Sequence, residues 1–141
     1  GIRVLPYARQ TKNVGGTAAD GKQDGAANAD AFLQEFGLAL LKSQPGPYAM
    51  FLDVEPSDPL SPAYYGGWAS SLIDRMKTLS RDTVQMAPGI YLNPGDQPTC
   101  TALNAARIAI SLLIPKAIAC RLMASASKAG YAGPDPEKPV R

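Results

Sequence analysis

Apolar and polar positions along this chain switch between two periods, close to two in some stretches and close to three and a half in others. Ile2 to Ala8, IRVLPYA, is rich in β-branched and aromatic residues and predicts a strand, with Pro6 arguing that one side of it lacks a full ladder. Thr11 to Gly25 is loop by composition, with four glycines among Asn, Asp and Thr. From Asp24 to Leu41 the pattern turns helical. Asp24 or Asn28 serves as cap, and Ala27, Ala31, Phe32, Glu35, Phe36 and Ala39 mark one face. Tyr48 to Leu52 is an apolar run entered through Gln44-Pro45-Gly46-Pro47 and left through Pro56, the punctuation of a buried strand.

Ser61-Pro62 then predicts a helix start, with serine as cap and proline at the first helical position. Tyr64, Tyr65, Trp68, Leu72, Ile73, Met76 and Leu79 follow at spacings of three and four, and the stripe Trp68, Leu72, Met76 suits packing against a sheet. Thr83 to Leu92 predicts a third strand with a Pro-Gly interruption, and Asn93 to Asp96 a loop. A short helix is expected over Cys100 to Arg107. Ile108 to Ala126 is apolar and is broken by Pro115; Gly130 to Arg141 is a Pro-rich, mobile tail.

Strands alternating with helices of this length imply an α/β fold of right-handed βαβ units around a parallel sheet. The chain of 141 residues is shorter than the roughly 250 typical of a complete (β/α)8 TIM barrel. The expected architecture is therefore a partial or reduced TIM-like barrel over residues 1–129, followed by the tail 130–141. In such a sheet, working residues gather where the strands end at their carboxyl termini. Three ends would converge there: Tyr7-Ala8-Arg9-Gln10, Asp53-Val54-Glu55 and Tyr91-Leu92-Asn93.

Composition narrows the chemistry. Hydrophobic residues make up 45% and charged residues 18%, which describes a globular chain. The net charge of +2 is small and scattered, so nucleic acid is not an expected partner. With no histidine and two cysteines, the Ser-His and Cys-His nucleophile arrangements and a Cys/His zinc site are excluded. Cys100 and Cys120 form no CxxC pair and are either a disulfide or two unrelated buried thiols. No apolar run of about 18 residues occurs, so no membrane span is expected. The chain opens on Gly1 directly before a strand-like run, so a processed or incomplete product is expected.

What chemistry remains rests on carboxylates, Tyr, Lys and Arg, and the centre of it is Asp53-Val54-Glu55. In a strand, Asp53 and Glu55 share a face, and two ionised acids so placed repel. Repulsion tends to raise one pKa, leaving a proton donor beside a carboxylate, the equipment of general acid and base catalysis. The plain alternative is a solvated strand end, or a cap on the next helix. The pair Tyr64-Tyr65, close to this acidic turn, is a further candidate for touching a ligand.

In order along the chain, DGAANADAFLQEF, FLDVE, YYGGWASSL and GIYLN resemble glycoside hydrolase family 25, the fold of the cellosyl-type lysozymes, and more closely the secreted glycoside-hydrolase-like proteins related to them. The resemblance covers about residues 1–107. It implies that Glu55 is the general acid and Asp53 its partner carboxylate, acting on the bond between N-acetylmuramic acid and N-acetylglucosamine in bacterial cell walls. It also implies that Tyr91 lines the substrate and that Tyr7, Arg9 and Gln10 sit along the cleft. Asp58 and Asn93, beside these strand ends, complete the candidate substrate-binding set. A secreted or extracellular protein is expected, with no cofactor and no metal.

Two other functions use the same residues. A non-catalytic carbohydrate or cell-wall binding module would keep Asp53 and Glu55 as acceptors for sugar hydroxyls. A cation site would use Asp53, Glu55 and Asp58 as oxygen ligands, although their spacing fits no standard calcium loop.

Overall fold

The computed structural model describes residues 6–54, 59–92 and 96–111. Glu55, Asp58, Asn93, Cys120, the early strand residues 2–5, the apolar stretch beyond 111 and the tail 130–141 lie outside the described residues. In chain order the elements are α1 (Ala18–Phe36), α2 (Leu38–Ser43), β1 (Tyr48–Val54), α3 (Pro62–Ser80), β2 (Met86–Leu92) and α4 (Gln97–Ser111).

The expectation of a partial or reduced (β/α)8 TIM-like barrel is contradicted. The described residues form four helices and an open, two-stranded parallel sheet. Closure requires strands to continue past both edges until the first meets the last. Here β1 pairs with β2 from Tyr48↔Met86 to Val54↔Leu92, and among the described residues its other edge carries the single bridge of Tyr7 to Phe51. That bridge is a short parallel contact: Ala8 N–H donates to Phe51 O at 2.7 Å and Phe51 N–H to Pro6 O at 3.0 Å.

Register divides the sheet into two faces. Met50, Leu52 and Val54 of β1, with Met86 and Ile90 of β2, are buried on one face. Tyr48 belongs to the same row; its ring lies 5.7 Å from Phe32 of α1 and its hydroxyl donates to Leu41 O at 2.7 Å. Helices α1 and α3 therefore lie on this side. The opposite face holds Ala49, Phe51 and Asp53 on β1 and Ala87, Gly89 and Tyr91 on β2.

Helix α1 begins earlier than the sequence pattern indicated. Thr17 and Asp20 form a reciprocal capping box: Asp20 N–H donates to Thr17 Oγ1 at 3.2 Å and Thr17 N–H to Asp20 Oδ2 at 2.9 Å. The hydrogen bond from the Thr17 side chain, followed by that from its backbone, lowers the Asp20 pKa. Half of the expected loop Thr11–Gly25 is thus helix, and Asp24 and Asn28 are interior residues rather than caps. Its buried face is Gly21, Asp24, Gly25, Asn28, Ala29 and Phe32, while Ala27, Ala31, Glu35 and Ala39 are exposed. Thr17→Ala is expected to lower unfolding free energy by about 1 kcal/mol, measured by urea denaturation.

The physical reason for that face is the crossing with α3. A Cβ at Gly21 would stand 2.0 Å from Tyr64 O, one at Gly25 2.3 Å from Trp68 O, and one at Gly67 2.2 Å from Ala18 O. Contacts advance together along both helices, so the helices run parallel, backbone against backbone. Gly66, one residue away, has nothing within 4 Å of its added Cβ. Gly66→Ala should therefore stabilise the protein by about 0.5–1 kcal/mol, because alanine loses less backbone entropy in a helix; a rise in thermal midpoint checks it.

Ser61 caps α3 as expected, its hydroxyl accepting from Tyr64 N–H at 3.3 Å, with Pro62 at the first position. Trp68, Leu72 and Met76 are fully buried. β2 starts at Met86 rather than Thr83, and α4 runs from Gln97 to Ser111, longer than Cys100–Arg107. Asp96 accounts for the earlier start of α4: its Oδ1 accepts from Thr99 N–H at 3.3 Å as a cap.

Candidate functional site

Tyr7, Gln10, Asp53 and Tyr91 are brought together. Asp53 and Tyr91 are register partners near the carboxyl ends of β1 and β2, and both are exposed. Gln10 reaches them from the segment after the bridge, its Nε2 donating to Asp53 O at 2.7 Å. The bridge puts Tyr7 beside Phe51, on the far side of β1 from Tyr91. Adjacent strands lie about 4.8 Å apart, so the two tyrosines must lean over β1 to meet. They do so edge to face, with ring centroids 6.0 Å apart.

Both rings remain open to solvent, Tyr7 60% and Tyr91 56% exposed. A single exposed apolar residue is ordinary, but two aromatic rings in contact form a patch rather than scattered surface. With the Asp53 carboxylate in the same row as Tyr91, the patch joins an apolar surface to a hydrogen-bond acceptor. Arg9 is exposed as well. Glu55, Asp58 and Asn93, the remaining members of the expected set, lie outside the described residues, as does any pairing of Cys100 with Cys120.

Tyr64 and Tyr65, the further candidates for touching a ligand, do not reach the exposed strand ends. Tyr64 is fully buried, and Tyr65 is buried with its ring stacked 5.9 Å from Trp68. They start the buried stripe of α3, and the short distance in sequence to the acidic turn does not bring them to the open face.

The residues that the sequence pattern missed are those that hold the Tyr7–Lys12 segment in place. Asn28 binds the Arg9 backbone in both directions: Arg9 N–H donates to Asn28 Oδ1 at 2.8 Å, and Asn28 Nδ2 donates to Arg9 O at 3.0 Å. This copies the hydrogen bonding of a β ladder with one amide side chain. One turn earlier on α1, the fully buried Asp24 accepts from four donors. Thr11 N–H and Lys12 N–H reach Oδ2 at 3.1 and 3.0 Å, Tyr64 OH reaches Oδ2 at 2.7 Å, and Thr11 Oγ1 donates to Oδ1.

Burial raises the Asp24 pKa, but the hydrogen bonds from Thr11, Tyr64 and Lys12 together outweigh it and hold the carboxyl below its ordinary value. Burial, then the bond to Asp24, pushes the Tyr64 hydroxyl well above the usual phenol range. The phenol therefore stays protonated and donating. A signal for this clamp was present in the sequence: Asp24 and Asn28 are four residues apart, on the same helical face as Gly21 and Gly25.

Among the described residues, no group of three or more His, Cys, Asp or Glu side chains is placed to hold a metal ion. No helix among them is long and apolar enough to cross a membrane. In comparisons with known families, curated proteins and solved structures, none matches this chain.

Proposed function

We propose that this protein acts on cell-wall glycan, hydrolysing a glycosidic bond with the carboxylates of Asp53 and Glu55. The observation that carries the reading is the convergence of Tyr7, Gln10, Asp53 and Tyr91 at the carboxyl ends of the strands. A sugar ring offers C–H groups on its faces and hydroxyls around its rim. Exposed tyrosines meet the first and a carboxylate meets the second.

In the reaction, Glu55 protonates the glycosidic oxygen as the bond to the sugar carbon breaks. The Asp53 carboxylate, or the acetamido group of the substrate itself, stabilises the positive charge that develops at that carbon. Water then supplies the hydroxyl to the sugar carbon, and its proton returns to the acid. The family resemblance of FLDVE and GIYLN supports the same assignment.

Glu55→Gln removes the proton donor while keeping the side chain's size. It is expected to lower release of reducing ends from cell-wall glycan by about 10²–10⁴-fold, the usual contribution of a general acid. Unchanged turnover in the variant would rule out the acid assignment. The second reading, a non-catalytic carbohydrate-binding module, is favoured by the dominance of two exposed tyrosines in the patch. Binding of glycan by the unaltered protein with no release of reducing ends would select it.

A further inference from the structure

Phe51 occupies the row between Tyr7 and Gly89 on the open face of the sheet. Its ring reaches over Gly89 of β2: a Cβ added at Gly89 would come within 2.6 Å of two Phe51 ring atoms. Glycine is otherwise a poor strand residue, since it has no side chain to pack and loses more entropy on folding than any other. At position 89 its missing side chain is the seat of the ring. Ala49 and Ala87 form the next row on the same face, so the neighbouring side chains are also small. Phe51 itself is only partly buried.

Resting on the glycan reading above, we infer that Phe51 is a substrate-positioning residue, the stacking floor on which one neutral N-acetylhexosamine ring is laid, with Asp53 two residues further along the same face. The placement fits a ring with an apolar face and a hydroxylated rim. Phe51 meets the C–H face, while Asp53 in the next row accepts from hydroxyls. A carboxylate in that row repels the phosphates of a nucleic acid, which would otherwise use a flat aromatic on an open sheet. Gly89 then acts through Phe51, because any side chain there tilts the ring out of the plane of the sheet.

The test is calorimetric titration of a soluble N-acetylglucosamine tetramer into the full chain and three variants. Phe51→Leu keeps the apolar volume and loses the planar ring; Gly89→Ala keeps the ring and displaces it; Phe51→Tyr keeps both. Affinity is expected to fall about tenfold in the first two and to stay within about twofold in the third, the scale of one aromatic contact. Trp68, the single tryptophan and fully buried, reports folding independently through its fluorescence. If the unaltered protein binds the tetramer and Phe51→Leu, with native Trp68 emission, binds it equally well, the inference is overturned and the glycan reading stands. If the unaltered protein does not bind at all, the glycan reading falls and takes this inference with it.

Discussion

Gly21→Val is expected to cost about 3 kcal/mol of stability, at the upper end of what overpacking a close contact usually costs. The added Cβ would sit 2.0 Å from the Tyr64 carbonyl oxygen and 2.9 Å from the Trp68 backbone nitrogen. A flexible side chain can rotate out of the way, but backbone atoms inside a helix cannot. The helices must separate instead, opening the packing around Trp68, Leu72 and Ala29, all essentially buried. Gly25 and Gly67 face the same limit from either helix, at 2.3 and 2.2 Å. Urea denaturation should show a lower midpoint with an unchanged slope, because the same surface is exposed on unfolding. The opposite sign expected for Gly66→Ala makes the pair diagnostic: helix propensity favours alanine at every one of these positions, so only the crossing can reverse it.

Asp24→Ala has the next largest effect, a loss of about 3 kcal/mol, because several donors lose their shared acceptor at once. Each buried group left without a partner costs roughly 1–3 kcal/mol, and those near solvent recover part of this through water. Tyr64 OH is buried and cannot; the Thr11 and Lys12 amides lie on an exposed segment and can. On the proposed glycan reading the loss reaches binding as well, since the freed segment Tyr7–Lys12 carries Tyr7 and Gln10. Weaker glycan binding should therefore accompany the lower stability.

Asp24→Asn separates charge from shape. Asn retains one acceptor oxygen, so the variant loses less than the alanine form at neutral pH. The pKa of Asp24 is lowered on folding, so its ionised form contributes stability that is fully present above the ordinary value of 3.8. That contribution disappears as pH falls through the lower folded value. Asp24→Asn should be flatter than the unaltered protein across this acid window, as read from unfolding midpoints between about pH 5 and pH 2.

Element existence was legible in the chain because apolar period and turn residues are local properties. Tyr48–Leu52 read as a strand, and Ser61-Pro62 read as a helix start with Trp68, Leu72 and Met76 turned inward. The buried face of α1 was not legible from apolar spacing, since it is made of Gly21, Asp24, Gly25 and Asn28. Two of those bury no hydrophobic side chain, and the other two are polar residues whose partners outside α1 lie 12 to 40 positions away. The same limit explains the barrel. Local period identifies a strand and its neighbouring helix but does not count how many strands complete the sheet, and the open pair β1–β2 is what the described residues form.

The site divides along a similar line. Strand-end reasoning selected Tyr7, Gln10, Asp53 and Tyr91 as neighbours, because parallel strands place their carboxyl ends together whatever the strand number. Tyr64 and Tyr65, chosen instead for their closeness in sequence to the acidic turn, are buried in α3. Strand-end reasoning passed over Phe51 and Gly89, since an apolar residue inside a strand reads as core until register shows which face it occupies.

The central claim is that glycan is held on the open face of β1 and β2. Its most direct test is a titration of soluble cell-wall glycan fragments into isotope-labelled protein, followed by amide chemical shifts. The account predicts shifts clustered at residues 7–10, 49–53, 87 and 89–91, with those of 68–79 on α3 unmoved. Saturating glycan that shifts none of those strand amides, or that shifts α3 instead, would contradict it.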